Sequence, residues 1–114
     1  MAAKLHRLVV TEADIDYVGS ITLDADLLEL SGIAAGEKVL VADLSTATRF
    51  ETYVIEAPAG SGTVCINGAA ARLAAPGDRI IVMQFVLVDT GREDPPAPRV
   101  VMADENNLNP GLLQ

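Results

Sequence analysis

This 114-residue chain has one cysteine, one histidine and no tryptophan. Cys65 has no partner for an intrachain disulfide. His6 and Cys65 together are too small a donor set for a zinc site, and no carboxylates cluster at ligand-like spacing, so no metal is expected. Cations are scarce: 8 Lys and Arg stand against 16 Asp and Glu, for a net charge of −8. That balance excludes a nucleic-acid backbone as partner, which calls for clustered positive charge. It also means that any anionic substrate must be held by a local positive group. Long hydrophobic runs are missing too. The longest apolar stretch, Ile80-Ile81-Val82-Met83 then Phe85-Val86-Leu87-Val88, is broken by Gln84 and is too short for a membrane-spanning helix. Met1-Ala2-Ala3-Lys4 opens no apolar signal region, so the expected location is the cytoplasm.

What is present is aliphatic. Half of the residues are hydrophobic, yet only two Tyr and two Phe are aromatic, so the core must be built from Val, Ile, Leu and Ala. The length fits one domain, expected over residues 1–103, small enough to gain from oligomerisation. Strand-like segments recur between turn signals: 5–11, 17–23, 38–44, 49–56, 63–66, 79–88 and 99–103. Turns are expected at Glu12-Ala13-Asp14, Ser45-Thr46-Ala47, Pro58–Gly62, Asn67–Ala71 and Pro76-Gly77-Asp78, with an irregular connection over 91–98. Asp24 is placed to cap a short helix with Leu27, Leu28 and Leu30 on its apolar face and Gly32 at its end. Cys65 falls at a buried strand position. Residues 104–114, rich in Asn, read as a flexible tail. Many short strands between turns point to a small closed barrel, mainly β with short helices.

One dipeptide carries potential chemistry. In Asp16-Tyr17-Val18-Gly19-Ser20, the serine hydroxyl can attack the preceding glycine carbonyl and convert the amide to an ester. β-Elimination and hydrolysis then split the chain and leave a carbonyl in place of the serine. Glycine favours this step because it tolerates unusual backbone angles and close approach. By itself Gly-Ser is an ordinary turn.

Four blocks change that reading: Lys4-Leu5-His6-Arg7, Tyr17-Val18-Gly19-Ser20, Arg49-Phe50-Glu51-Thr52-Tyr53 and Asn67-Gly68-Ala69-Ala70-Ala71. Their order and spacing, from Lys4 to about Ala103, resemble the pyruvoyl-dependent aspartate 1-decarboxylases. The resemblance implies a six-stranded double-psi β-barrel, a homotetramer with active sites between subunits, and L-aspartate converted to β-alanine and CO2. It implies self-cleavage between Gly19 and Ser20, with Ser20 becoming a covalent pyruvoyl cofactor. Such a carbonyl suits decarboxylation, because a Schiff base with the substrate amine gives the leaving electron pair a sink.

The resemblance also implies roles for single residues. Thr52 matches the threonine that assists cleavage and contacts substrate, and Tyr53 the proton donor. Arg49 matches the substrate-carboxylate anchor, a task suited to a bidentate guanidinium, and Lys4 a lysine near the same site. Asn67, Gly68, Ala69 and Ala70 match the substrate and pyruvoyl pocket, where small residues let backbone N–H groups approach an oxyanion. His6 and Tyr17 are supporting residues. Adjacent Thr52 and Tyr53 should face opposite sides of a strand, so a site between subunits or a local twist is needed to use both. Two departures stand out. Thr46-Ala47 replaces the family's Asn-Gly turn, and the stretch before Lys4 is a few residues shorter, which bears on N-terminal packing and assembly. Two other readings remain open at this point: decarboxylation of a related acidic amino acid, and a non-enzymatic β-barrel binding module in which Gly19–Ser20 is only a turn.

Overall fold

The computed structural model describes residues 1–113. Nine strands form one hydrogen-bonded order: β1 (Ala3–Val9), β2 (Glu12–Asp14), β3 (Ser20–Asp24), β4 (Lys38–Asp43), β5 (Arg49–Ala57), β6 (Val64–Asn67), β7 (Arg79–Gln84), β8 (Arg99–Met102) and β9 (Gly111–Leu112). The order across the sheet is β2-β6-β3-β5-β4-β7-β1-β8-β9. It is mixed, with β2/β6, β3/β5 and β1/β8 parallel and the other pairs antiparallel. Leu5, Leu8, Ile21, Leu23, Val39, Val41, Val54, Val64, Ile66, Ile80 and Val82 are almost completely buried. The core is aliphatic, as the composition requires.

β1 shows how a local irregularity sets which residues face inward. Strict alternation from Ala3 and Leu5 would turn Arg7 toward the core. Instead the register steps from Leu5↔Val82 to Leu8↔Ile80, three residues on β1 against two on β7, and Arg7 takes φ 62°. The extra residue is a β-bulge. It leaves Arg7 exposed and buries Leu8 and Val10.

The α-helix found among the described residues, α1 (Ala25–Ser31), follows its sequence signals. Asp24 caps it by accepting from the Asp26 N–H at 2.8 Å, and Gly32 ends it at φ 80°. The buried Asp24 carboxylate also accepts from Gly60 N–H at 3.1 Å and Gly62 N–H at 2.8 Å. Three backbone donors thus satisfy a charge that would otherwise be costly to bury. The β4–β5 hairpin forms as expected. Asp43 Oδ1 accepts from the Ser45 and Thr46 N–H groups at 2.7 and 3.2 Å, and Ala47 adopts φ 61°. The turn keeps a left-handed position although no glycine occupies it.

Several expectations are revised. Residues 12–14 form a short strand beside β6, because their backbone pairs in parallel with Cys65–Asn67. The strand expected over 17–23 starts only at Ser20, and 15–19 is a loop. The expected turn at 67–71 is instead the end of β6 followed by a 3-10 helix, Gly68–Arg72. The strand expected to reach Val88 stops at Gln84. Gln84 is the last residue of β7 in register with β1, opposite Ala3, and Met83 the last in register with β4, opposite Leu40. Phe85, Val86 and Leu87 are consequently exposed.

The 104–114 segment, read from sequence as a flexible tail, carries ordered contacts in its described part. Asn107 is buried, accepts from Val9 N–H at 2.8 Å, and donates to the Val9 and Gly62 carbonyls at 2.8 and 2.9 Å. Its amide supplies β1 with hydrogen bonds that a neighbouring strand would otherwise make. β9 then pairs with β8. Composition marks the segment as polar and turn-rich but does not show that one amide reaches back across most of the chain.

Candidate active site

Asn67, at the end of β6, is the fixed point of the site. β6 lies between β2 and β3, and Asn67 is in register with Asp14 on one side and with Ser20 on the other. The loop 15–19 therefore leaves and rejoins the sheet at the same rung. Asp14 shapes its start by accepting from the Asp16 N–H at 3.0 Å. The loop displays Ile15, Tyr17 and Val18 to solvent.

Gly68 holds the underside of that loop. It has φ +68°, and a Cβ built on it would lie 2.6 Å from Gly19 Cα, 2.8 Å from Gly19 N and 3.1 Å from the Tyr17 carbonyl oxygen. Any side chain would collide with backbone, which cannot swing aside. Glycine is required here both by the close approach and by the left-handed angle.

Ser20 is 0% exposed and has φ 143°, a region that side-chain-bearing residues enter at a cost of roughly 1–3 kcal/mol. The strain sits at the serine of the Gly19–Ser20 bond. Its Oγ accepts from Asn67 Nδ2 at 3.0 Å, and the same nitrogen donates to Thr22 Oγ1 at 3.0 Å. The Cys65 thiol donates to Asn67 Oδ1 at 3.1 Å. Asn67 stands at the N-cap of the 3-10 helix without capping it, because its amide is committed to these side chains. Thr22 carries no site signal of its own in the sequence, and Cys65 reads there only as a buried strand residue. Their only signal is strand spacing, two residues from Ser20 and from Asn67 on the same face.

The remaining expected residues divide into two groups. Ile21 on β3 is aligned with Val54 on β5 in a parallel pair. Continued toward the N-terminus, this register sets Ser20 beside Tyr53 and Gly19 beside Thr52. Tyr53 is exposed and Thr52 half-buried, so the two face opposite sides as alternation requires. Ala69 is exposed and Ala70 half-buried in the 3-10 helix beyond Gly68.

Lys4 and His6 lie elsewhere, on β1, with β5, β4 and β7 between β3 and β1 in the sheet order. Arg49 shares a face with Tyr53 but is four residues away on β5, roughly 13 Å along an extended strand. Neither Lys4 nor Arg49 makes an ion pair among the described residues. His6 is held below its ordinary pKa, first by desolvation and then by the charges of Lys4 and Arg7. Its Nδ1 is buried without a hydrogen-bond partner. An open hollow of about 570 Å³, lined by Asp26, Glu29, Leu30, Arg99, Pro110 and Leu112, contains none of the expected residues. A single chain thus gathers Gly19, Ser20, Asn67 and Gly68 and aligns Thr52 and Tyr53 with them, while Lys4 and His6 stay on a separate strand and Arg49 at the far end of β5.

A sequence model of the aspartate decarboxylase family matches residues 1–109. The chain belongs to this family. It is 51% identical to the aspartate 1-decarboxylase of Acetivibrio thermocellus over 94% of this chain and 85% of that protein. It is 48% identical to the aspartate 1-decarboxylase of Caldicellulosiruptor saccharolyticus, covering 94% and 84% of the two chains. The enzyme of the same name from Corynebacterium efficiens is also 48% identical, with 94% and 79% covered. The fold is similar to the crystal structure of the rationally designed mkDPBB_sym_86 protein. The TM-score is 0.51 at 19% identity, over 68% of this chain and 90% of that one. The architecture is a mainly β, double-psi barrel with one short α-helix.

Proposed function

We propose that the protein decarboxylates L-aspartate to β-alanine and CO2, using a pyruvoyl group that it makes from Ser20 by self-cleavage after Gly19. Family membership supports the decarboxylase activity. The observation that carries the site assignment is the buried Ser20 hydroxyl, held by Asn67 beneath a loop that only Gly68 allows so close.

In processing, Ser20 Oγ attacks the Gly19 carbonyl carbon. The new C–O bond replaces the broken C–N bond, and the hydroxyl proton passes to the freed amine. Thr52, in register with Gly19, assists at that carbonyl. β-Elimination leaves the Gly19 carboxylate, and water then releases ammonia from the new N-terminus at position 20. Intact Ser20 is inaccessible, so cleavage also has to open a path for substrate by freeing the end of loop 15–19.

The residues fit the group. Asn67 offers an N–H donor at position 20, and glycine at 68 leaves backbone room beside it. When present, the pyruvoyl carbonyl supplies an electron sink for the pair released with CO2. The chain's own residues do the rest. Tyr53 delivers a proton to the carbon that lost CO2. Arg49 holds the distal carboxylate by paired hydrogen bonds, with Lys4 adding positive charge in an otherwise acidic protein. Asn67 and the backbone of Gly68, Ala69 and Ala70 line the pocket, and His6 and Tyr17 support it.

The separation of Lys4 and His6 from Ser20 along the sheet, and of Arg49 from Tyr53 along β5, supports a site completed by a second copy in a homotetramer. Loop 15–19 and Phe85–Leu87 offer exposed apolar surface for that contact. Denaturing mass spectrometry tests the reading directly. Fragments 1–19 and 20–114 should form, the second lighter by one ammonia than a serine-headed peptide, and aspartate turnover should grow with them. An intact chain that never gains activity would overturn it.

A further inference from the structure

We infer that Thr22 and Cys65 are positioning residues that lock the Asn67 carboxamide with its NH2 group toward Ser20 Oγ. The inference rests on the processing reading above and names the part of the site that controls the attacking oxygen.

The four residues form a square on one face of two antiparallel strands. Ser20 is opposite Asn67, and Thr22 is opposite Cys65. Ser20, Asn67 and Cys65 are buried. Asn67 Nδ2 has two hydrogens, and both are used, one on Ser20 Oγ and one on Thr22 Oγ1, each at 3.0 Å. The two hydroxyls alone do not decide which end of the amide faces them, because a hydroxyl can donate or accept. The thiol decides. Cys65 Sγ lies 3.1 Å from Asn67 Oδ1, and burial, with Glu12 and Asp14 adding negative charge, pushes its pKa up. It stays protonated, and its S–H meets the amide oxygen, a good acceptor; reversed, the NH2 group would have only the weakly accepting sulfur, so the oxygen lies on the thiol side and the NH2 group on the hydroxyl side.

The orientation matters for the nucleophile. With the amide reversed, Oδ1 would take the Ser20 hydroxyl proton in a hydrogen bond. An amide oxygen is too weak a base to accept that proton fully, so the hydroxyl would be held in an unproductive direction. In the observed arrangement Asn67 donates to Ser20 Oγ. The serine proton is left free to go to another acceptor, and the N–H from Asn67 stabilises the alkoxide character that Oγ takes on as that proton leaves, before the C–O bond forms. Thr22 keeps the second N–H occupied and so holds the amide plane after Oγ has left position 20 with Gly19.

Paired substitutions test this by separating hydrogen bonding from packing. Thr22→Val keeps the shape but removes the acceptor, whereas Thr22→Ser keeps it. Cys65→Ala removes the donor, whereas Cys65→Ser keeps it. The rate of formation of fragments 1–19 and 20–114 is followed by denaturing mass spectrometry, with the thermal midpoint of each variant as a folding control. Thr22→Val and Cys65→Ala should process about 3- to 10-fold more slowly, the range one hydrogen bond governs, and Thr22→Ser and Cys65→Ser should recover most of the rate. If Thr22→Val does not accumulate as folded protein, the Cys65 pair decides. Folded Thr22→Val or Cys65→Ala cleaving at the wild-type rate would overturn the inference and leave self-processing intact. So would serine variants as slow as their apolar counterparts. A wild-type chain that never cleaves would overturn both.

Discussion

Gly68 sits directly against Gly19, with space for a hydrogen but not for a methyl group: a Cβ on Gly68 would lie 2.6 Å from Gly19 Cα. The contact joins the start of the 3-10 helix to the bond that the proposed processing breaks. Gly68→Ala should therefore displace loop 15–19 and add the strain of a left-handed angle, φ +68°, which costs an L-residue roughly 1–2 kcal/mol. Processing should slow strongly while the β-sheet persists. Fragment formation by mass spectrometry, alongside far-UV circular dichroism, checks both parts. Normal cleavage in Gly68→Ala would show that the loop does not need this contact.

Processing and turnover should separate at Tyr53 and Arg49. Tyr53→Phe keeps the ring and loses only the proton donor, so cleavage should continue while kcat falls by roughly 10²–10⁴-fold, the scale of one general acid. Arg49→Ala should also cleave, but lose kcat/KM for aspartate and discriminate less against amino acids without the distal carboxylate. Fully processed protein must be confirmed by mass before rates are compared. Wild-type turnover in processed Tyr53→Phe would remove its assignment, and unchanged selectivity in Arg49→Ala would move the anchor to Lys4.

The β4–β5 turn contains a residue better suited to replacement. Ala47 adopts φ 61°, an angle glycine takes without a Cβ penalty. Ala47→Gly should raise stability by up to about 1 kcal/mol, the relieved strain being partly offset by the greater freedom of glycine in the unfolded chain. Chemical denaturation with an unchanged m-value measures it. A loss of stability would mean that the unfolded-state entropy outweighs the strain.

Asp43 and Asp78 form a carboxyl pair with opposed tendencies. Asp43 Oδ2 is buried without a hydrogen-bond partner; burial raises the Asp43 pKa and the neighbouring Asp78 carboxyl raises it further, while Asp43 in turn lowers that of Asp78. For Asp43 the folded pKa exceeds the unfolded one, so its contribution is fully present below about pH 4 and is lost as pH rises through the folded value. Asp78 has the opposite sign. Asp43→Asn keeps an acceptor for Ser45 and Thr46 N–H and a donor for Asp78 without a charge to bury. It should stabilise the protein at neutral pH and reduce the fall in stability as pH rises above about 4. Thermal midpoints across that range decide it, and an unchanged profile would show that Asp43 ionises without cost.

His6 adds a second pH dependence of the other sign. Its folded pKa is lowered, chiefly by desolvation. The stabilising contribution is present above the unfolded value of about 6.5 and is lost as pH falls through the folded one. A proton NMR titration of the single histidine should give a midpoint below 6.5. A midpoint at or above the model-peptide value would mean that the ring is solvated.

Local signals carried far in this chain, and the limits of what they carried have a physical pattern. Asp24 and Gly32 mark the ends of α1 because capping and left-handed termination depend only on neighbouring backbone. The 38–44 and 49–56 hairpin is legible for the same reason, and the blocks around Lys4, Gly19–Ser20, Arg49–Tyr53 and Asn67–Ala70 identify the family without coordinates. What the sequence alone left undecided is whatever depends on a partner distant in the chain. β7 stays in register with β1 only as far as Gln84, opposite Ala3, though the apolar run continues to Val88. Residues 12–14 become a strand only because β6 lies alongside, and Asn107 is ordered only because Val9 and Gly62 present unpaired backbone groups to it. Asn67 looks like a turn residue in the sequence. Only the tertiary structure places it between Ser20, Thr22 and Cys65, because hydrogen bonds across strands follow register, and register is set by the whole sheet.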